Sequence, residues 1–206
     1  MNISKKGFTL IEILVVMMVL SLIGVLILII FTRTLRGSNK SQIITFIKQN
    51  GQSVLENFDK NVRNSDGVIC PAITAPNPST LVIKKGGIYI RYRFVVPAPP
   101  ANPIANGRIQ QDNPVKQINV QTGKEETDPE FANRICLDPM PDPVVITDTN
   151  TKTGVSVENG SFTRNRSAGF ADLVTIQFDL KPGVSAREAA TGSIDPVNFT
   201  TTIQLR

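Results

Sequence analysis

From Phe8 to Phe31 the chain runs for 24 residues with one charged side chain, Glu12, and few folds can accommodate such a run. As a helix rising 1.5 Å per residue it extends about 36 Å, enough to cross a hydrocarbon core of about 30 Å. A carboxylate in lipid costs roughly 2.5–3.5 kcal/mol near the centre of a span and less near an end, and it normally has a functional partner. The Gly7-Phe8 junction lies just ahead of Glu12, so an amine freed by cleavage there is the obvious partner. An ordinary secretory signal pairs a short apolar stretch with a small-residue cleavage site beyond it; here the apolar run continues to Phe31 with no such site after it. Lys5 and Lys6 favour a cytoplasmic N-terminus and hence an external remainder, a bias that Arg33 and Arg36 weaken from the other end.

The residues Lys5-Lys6-Gly7-Phe8-Thr9-Leu10-Ile11-Glu12 resemble the leader and processing motif of type IV pilins and the pseudopilins of type II secretion. The resemblance covers residues 1 to about 31. It implies that a prepilin peptidase cuts after Gly7 and methylates Phe8, and that Glu12 docks onto a neighbouring subunit's terminal amine. An ammonium and a carboxylate brought together in lipid relieve each other's desolvation cost and fix register more than they add stability. Other partners implied are further pilin or pseudopilin subunits, an inner-membrane assembly platform and the membrane itself. Many pilins carry a proline within the apolar half of the helix; this chain has none there, leaving Gly24 and Ser21 as the soft points.

Beyond Phe31, apolar residues at Leu35, Ile43, Ile44, Ile47, Val54, Leu55, Phe58 and Val62 recur at helical spacing. The expected fold class is therefore α+β: a long N-terminal transmembrane and amphipathic helix packed on an antiparallel β-sheet, pilin-like. The expected organisation is a leader at 1–7, a transmembrane and assembly helix at 8–31, its amphipathic continuation at 32–63, and an extracytoplasmic β-rich domain at 64–206. Gly37 and Gly51 are expected to weaken the helix. Alternation predicts strands at Leu81 to Lys85 and Ile88 to Val96, joined by a tight Gly86-Gly87 turn. It also predicts strands at Val115 to Val120, Pro143 to Thr147, Gly154 to Thr163, Leu173 to Leu180 and Phe199 to Leu205. Asn159-Gly160 reads as a hairpin turn. The tracts Pro71 to Pro78, Pro97 to Pro103 and Pro139 to Pro143 read as loops, with Pro97 to Pro114 as an insertion on the sheet.

The formal charge is +5, or +3 without Lys5 and Lys6, a mild basicity typical of a solvated surface. Histidine is absent, which removes Ser-His-Asp and Cys-His catalysis and His-containing zinc sites, and two cysteines cannot complete a tetrathiolate. Glu125, Glu126, Asp128 and Glu130 read as a solvated acidic loop, and Asp148 to Gly154 as a turn with a superficial likeness to a calcium loop. No cofactor, metal or enzymatic activity is expected. On the external side of the span an even cysteine count favours a Cys70–Cys136 disulfide over two buried thiols.

Two functions follow. The first is a minor type IV pilin or pseudopilin, a structural subunit assembled through its N-terminal helix into a pilus or pseudopilus. The second is a membrane-tethered or tip-located binding module, an adhesin or DNA receptor. Its candidate contacts are Arg164, Arg166 and Phe162, which pair cations with an aromatic as stacking on a nucleic acid requires.

Overall fold

The computed structural model describes residues 7, 9–71, 79–97, 105–118, 123–166, 169–186 and 194–206. The chain divides into two compact units, 1–42 and 43–206, and helix α1 (Leu10–Arg63) contributes residues to both. In the first unit it carries the apolar run. In the second its buried face is Ile47, Gly51, Val54, Phe58 and Val62, a spacing of three and four that makes one stripe.

That stripe faces strands in two antiparallel sheets. The first has the order β1 (Gly67–Cys70), β2 (Thr80–Lys85), β3 (Ile88–Val95), β4 (Arg108–Asp112) and β5 (Val144–Val145). The second is β6 (Val155–Asn165), β7 (Leu173–Pro182) and β8 (Val197–Gln204). The fold is α+β, a long apolar N-terminal helix with antiparallel sheets, consistent with a pilin-like fold. The β2–β3 turn works because Gly86 and Gly87 both adopt positive φ, 56° and 84°, as a tight hairpin demands. Val174, Ile176, Phe178 and Leu180 share the buried face of β7 with Phe199 and Ile203 of β8.

Aromatic rings join the layers of the second unit. Phe58 meets Tyr92 and Phe162 edge-on at 4.8 and 5.7 Å between centroids, and Phe94 stacks on Phe162 at 4.5 Å. The Val157 amide donates to the Gly107 carbonyl at 3.0 Å, tying β6 to the start of β4. On the opposite face of β2 and β3 lies a smaller core of Cys70, Val82, Phe131 and Ile135, contributed in part by helix α2 (Asp128–Leu137).

Several expectations are corrected. Asn159-Gly160 is no hairpin turn: β6 runs through it to Asn165, with a bulge between Val157 and Asn159. Gly160 is there for room, since a Cβ would fall on the Phe94 ring. The stretch from Val115 to Val120 makes only an isolated Ile118–Glu125 bridge, and its last two residues lie outside those described. Within the tract from Pro97 to Pro114, Arg108–Asp112 form β4, paired along β3, so that part belongs to the sheet. Of the expected loops at Pro71 to Pro78 and Pro97 to Pro103, all but Pro71 and Pro97 fall outside the described residues.

Of the acidic run, Asp128 and Glu130 open α2, while Glu125 and Glu126 lie ahead of it. The Thr127 amide and hydroxyl both donate to the Glu130 carboxylate, at 3.0 and 2.7 Å, as in a capping box. Glu126 accepts two hydrogen bonds from Arg134 at 2.8 Å, and Asp128 pairs with Lys116 at 2.7 Å. These partners hold all three carboxyls below their usual range, Glu126 through Arg134, Asp128 through Lys116 and Glu130 through Thr127. They are charged structural groups at neutral pH, the opposite of a raised general acid.

Candidate functional site

α1 begins where the sequence changes from polar to apolar. Thr9 sits ahead of the first turn, and the Glu12 amide donates both to its carbonyl at 3.1 Å and to its hydroxyl at 3.3 Å, a cap on the start of the helix. Glu12 thus occupies the third helical position, where the positive end of the helix dipole favours a carboxylate. Gly7 is exposed, and open space surrounds it. Phe8 lies outside the described residues.

The large apolar side chains from Leu10 to Phe31 are between 42% and 80% exposed. Water does not sustain a contiguous surface of that kind; lipid or other apolar helices do. The helix is long and apolar enough to cross a membrane. The hydroxyls in it satisfy themselves: Ser21 donates to Met18, Thr32 to Leu28 and Ile29, and Thr34 to Ile30, all backbone carbonyls within 3.0 Å.

The other candidate residues separate. Cys70, at the end of β1, and Cys136, in the last turn of α2, form a disulfide with Cα atoms 6.0 Å apart. Arg164 and Arg166 converge, but on Asp172: Arg164 places Nε and Nη2 at 3.1 and 2.6 Å from Oδ2, and Arg166 Nε lies 3.5 Å from Oδ1. Phe162 is 2% exposed, its ring in the core against Phe58 and Phe94. No base can reach it, and Arg164 already has its anion, so this trio is not a nucleic-acid surface.

One charged constellation escaped the sequence reading. Arg91 is 2% exposed and forks onto Asp112, while its Nη1 donates to the carbonyls of Ile135 at 2.9 Å and Asp138 at 3.1 Å. It is a structural clamp: one guanidinium closes the end of α2 onto β3 and β4. Among the described residues no group of three or more His, Cys, Asp or Glu is placed to hold a metal.

With this geometry in hand, the comparison with known proteins bears on the N-terminus. The family model for the prokaryotic N-terminal methylation motif matches residues 3–30. No curated protein and no solved structure matches the chain. The chain carries a type IV pilin or pseudopilin-like prepilin motif, that of a pilin-type precursor. The motif implies processing by a prepilin peptidase and assembly with other pilin subunits, and its apolar helix is consistent with a membrane-anchored pilin.

Proposed function

We propose that the chain is a minor type IV pilin or pseudopilin, cut after Gly7, N-methylated at Phe8 and assembled through the apolar half of α1. The observation that carries this reading is a coincidence: the methylation motif at 3–30 falls on the stretch of helix whose apolar side chains lack cover. In the bilayer lipid covers them; in a filament the helices of other subunits do so. Glu12 then meets the new amine of a neighbour, and because neither charge tolerates being left alone in an apolar environment, the pair selects one axial register.

In this reading residues 1–7 are the leader, 8–31 the assembly segment, 32–63 its amphipathic continuation and 64–206 an external domain. The Cys70–Cys136 disulfide suits export to an oxidising compartment. Subunit size, proline-rich connections and the added α2 favour a specialised minor subunit over the repeating one. The role is structural, with the inner-membrane assembly platform as a further partner.

The test is intact mass and N-terminal sequencing of membrane-extracted protein made with and without a prepilin peptidase. A peptidase-dependent start at Phe8 bearing one extra methyl is expected, and Glu12→Ala should be processed yet fail to enter filaments. An intact Met1, or a start beyond Phe31, would overturn the reading.

A further inference from the structure

Just past the apolar run, α1 carries Arg33, Arg36 and Lys40, spaced three and four apart and so on one face of the helix. No Asp or Glu occurs between Glu12 and Glu56, so neither arginine has an acidic partner within helical reach. The other end of the same helix is built differently: Arg63 forks onto Asp59, an i,i+4 pair. Like charges at i,i+3 and i,i+4 destabilise a helix, yet α1 runs through them without a break. Arg33 and Arg36 are exposed and make no hydrogen bond or ion pair among the described residues. These two arginines therefore call for an anion from outside the chain.

Depth identifies that anion. The self-satisfied hydroxyls of Thr32 and Thr34 show a helix that needs no water up to this point. At 1.5 Å per residue, Arg33 lies about 3 Å and Arg36 about 7.5 Å beyond Phe31. The polar layer outside each face of a hydrocarbon core is about 5 to 8 Å thick, so both guanidinium groups enter it. Flexible side chains of this length reach phosphates readily, and guanidinium binds phosphate through two parallel hydrogen bonds.

We propose that Arg33 and Arg36 form a binding site for the phosphodiester of an anionic phospholipid in the outer half of the membrane that stores the subunit before assembly. The proposal rests on the reading of residues 8–31 as membrane-inserted. The site would also set the depth of the helix, since two phosphate contacts resist sliding in either direction. Extraction into a filament then exchanges lipid phosphate for whatever neighbouring subunits provide.

The test offers the full-length chain, in neutral detergent, an equal mixture of phosphatidylglycerol and phosphatidylcholine, and counts retained lipids by native mass spectrometry. Lys5 and Lys6 contribute equally to every variant and cancel in comparison. The wild type should prefer phosphatidylglycerol, and Arg33→Gln/Arg36→Gln should lower that preference by about tenfold. Arg33→Lys/Arg36→Lys should keep most of it. An unchanged preference in the glutamine variant would overturn the site. Alkaline carbonate washing of membranes reports insertion separately. If both proteins stay in the pellet while the preference is unchanged, only the arginine site fails; release of the wild type would overturn the membrane reading and the site with it.

Discussion

Glycine in the middle of a helix normally costs about 1 kcal/mol relative to alanine, so Gly51→Ala would ordinarily strengthen α1. The structure predicts the reverse. Gly51 is buried, and a Cβ there would overlap Cζ, Cε1 and Cε2 of Phe199. The ring cannot withdraw easily: Phe199 is 8% exposed and stacks at 5.2 Å on Phe178, itself 1% exposed. Overpacking a tight core costs about 1–3 kcal/mol, and a direct overlap with a backed ring belongs at the upper end. Subtracting the helix gain leaves a net loss of about 2 kcal/mol, or about 4–8 °C in the melting midpoint for a unit of this size. Circular dichroism of the detergent-solubilised chain measures it. Gly37→Ala is the control, on the same helix with nothing within 4 Å of the new methyl, and its midpoint should be unchanged or higher. Combining Gly51→Ala with Phe199→Leu should recover most of the loss, a coupling of about 2 kcal/mol between the sites. A Gly51→Ala protein as stable as the wild type would refute the close approach of helix and ring.

Asp112→Ala leaves the Arg91 guanidinium buried without its counter-ion and should cost about 3–5 kcal/mol, whereas Arg91→Met/Asp112→Leu should recover most of that. Equal losses in urea titrations of the single and double variants would contradict this. Burial pushes the Tyr92 phenol up to about 12, against a smaller opposing effect of the Asn61 hydrogen bond. A raised native value means that the stabilisation is whole below pH 10 and disappears between pH 10 and 12, in total about 3 kcal/mol. Tyr92→Phe should lack that alkaline loss while costing about 1 kcal/mol at neutral pH through the hydrogen bonds to Asn57 and Asn61; parallel alkaline curves would argue against it. Cys136→Ser opens a loop with a sequence separation of 66 and should cost about 4 kcal/mol, read as a lower urea midpoint.

What the sequence displays best is what repeats. α1 is legible because its apolar residues recur over many turns, β7 and β8 because they alternate cleanly, and the β2–β3 turn because two adjacent glycines leave little else. The failures have local causes. In β6 the inward residues Val155 and Val157 would by strict alternation put Phe162 on the outer face; the bulge between Val157 and Asn159 reverses the phase and turns its ring into the core. That one inserted residue undoes the nucleic-acid reading. β4 is mostly polar, Arg-Ile-Gln-Gln-Asp, and carries no apolar alternation to notice. α2 is short, with only Phe131 and Ile135 fully inside, but it had a readable signature: Thr127 three residues ahead of Glu130, with Pro129 in the first turn. Gly51 looked like a weak point in the helix because propensity is visible in sequence and the Phe199 ring is not. The N-terminal methylation motif was legible because it lies in consecutive residues.

The disulfide also governs what cutting the chain would do. Cys70 and Cys136 bracket β2, β3, β4 and most of α2. A protease that severs any single peptide bond between them separates no mass from the molecule: both ends remain covalently joined, and only a reductant divides them. Nicked at Pro71 to Pro78 or Pro97 to Pro103, the chain would therefore still transmit tension from one terminus to the other. The same cut placed after Cys136 would part the chain.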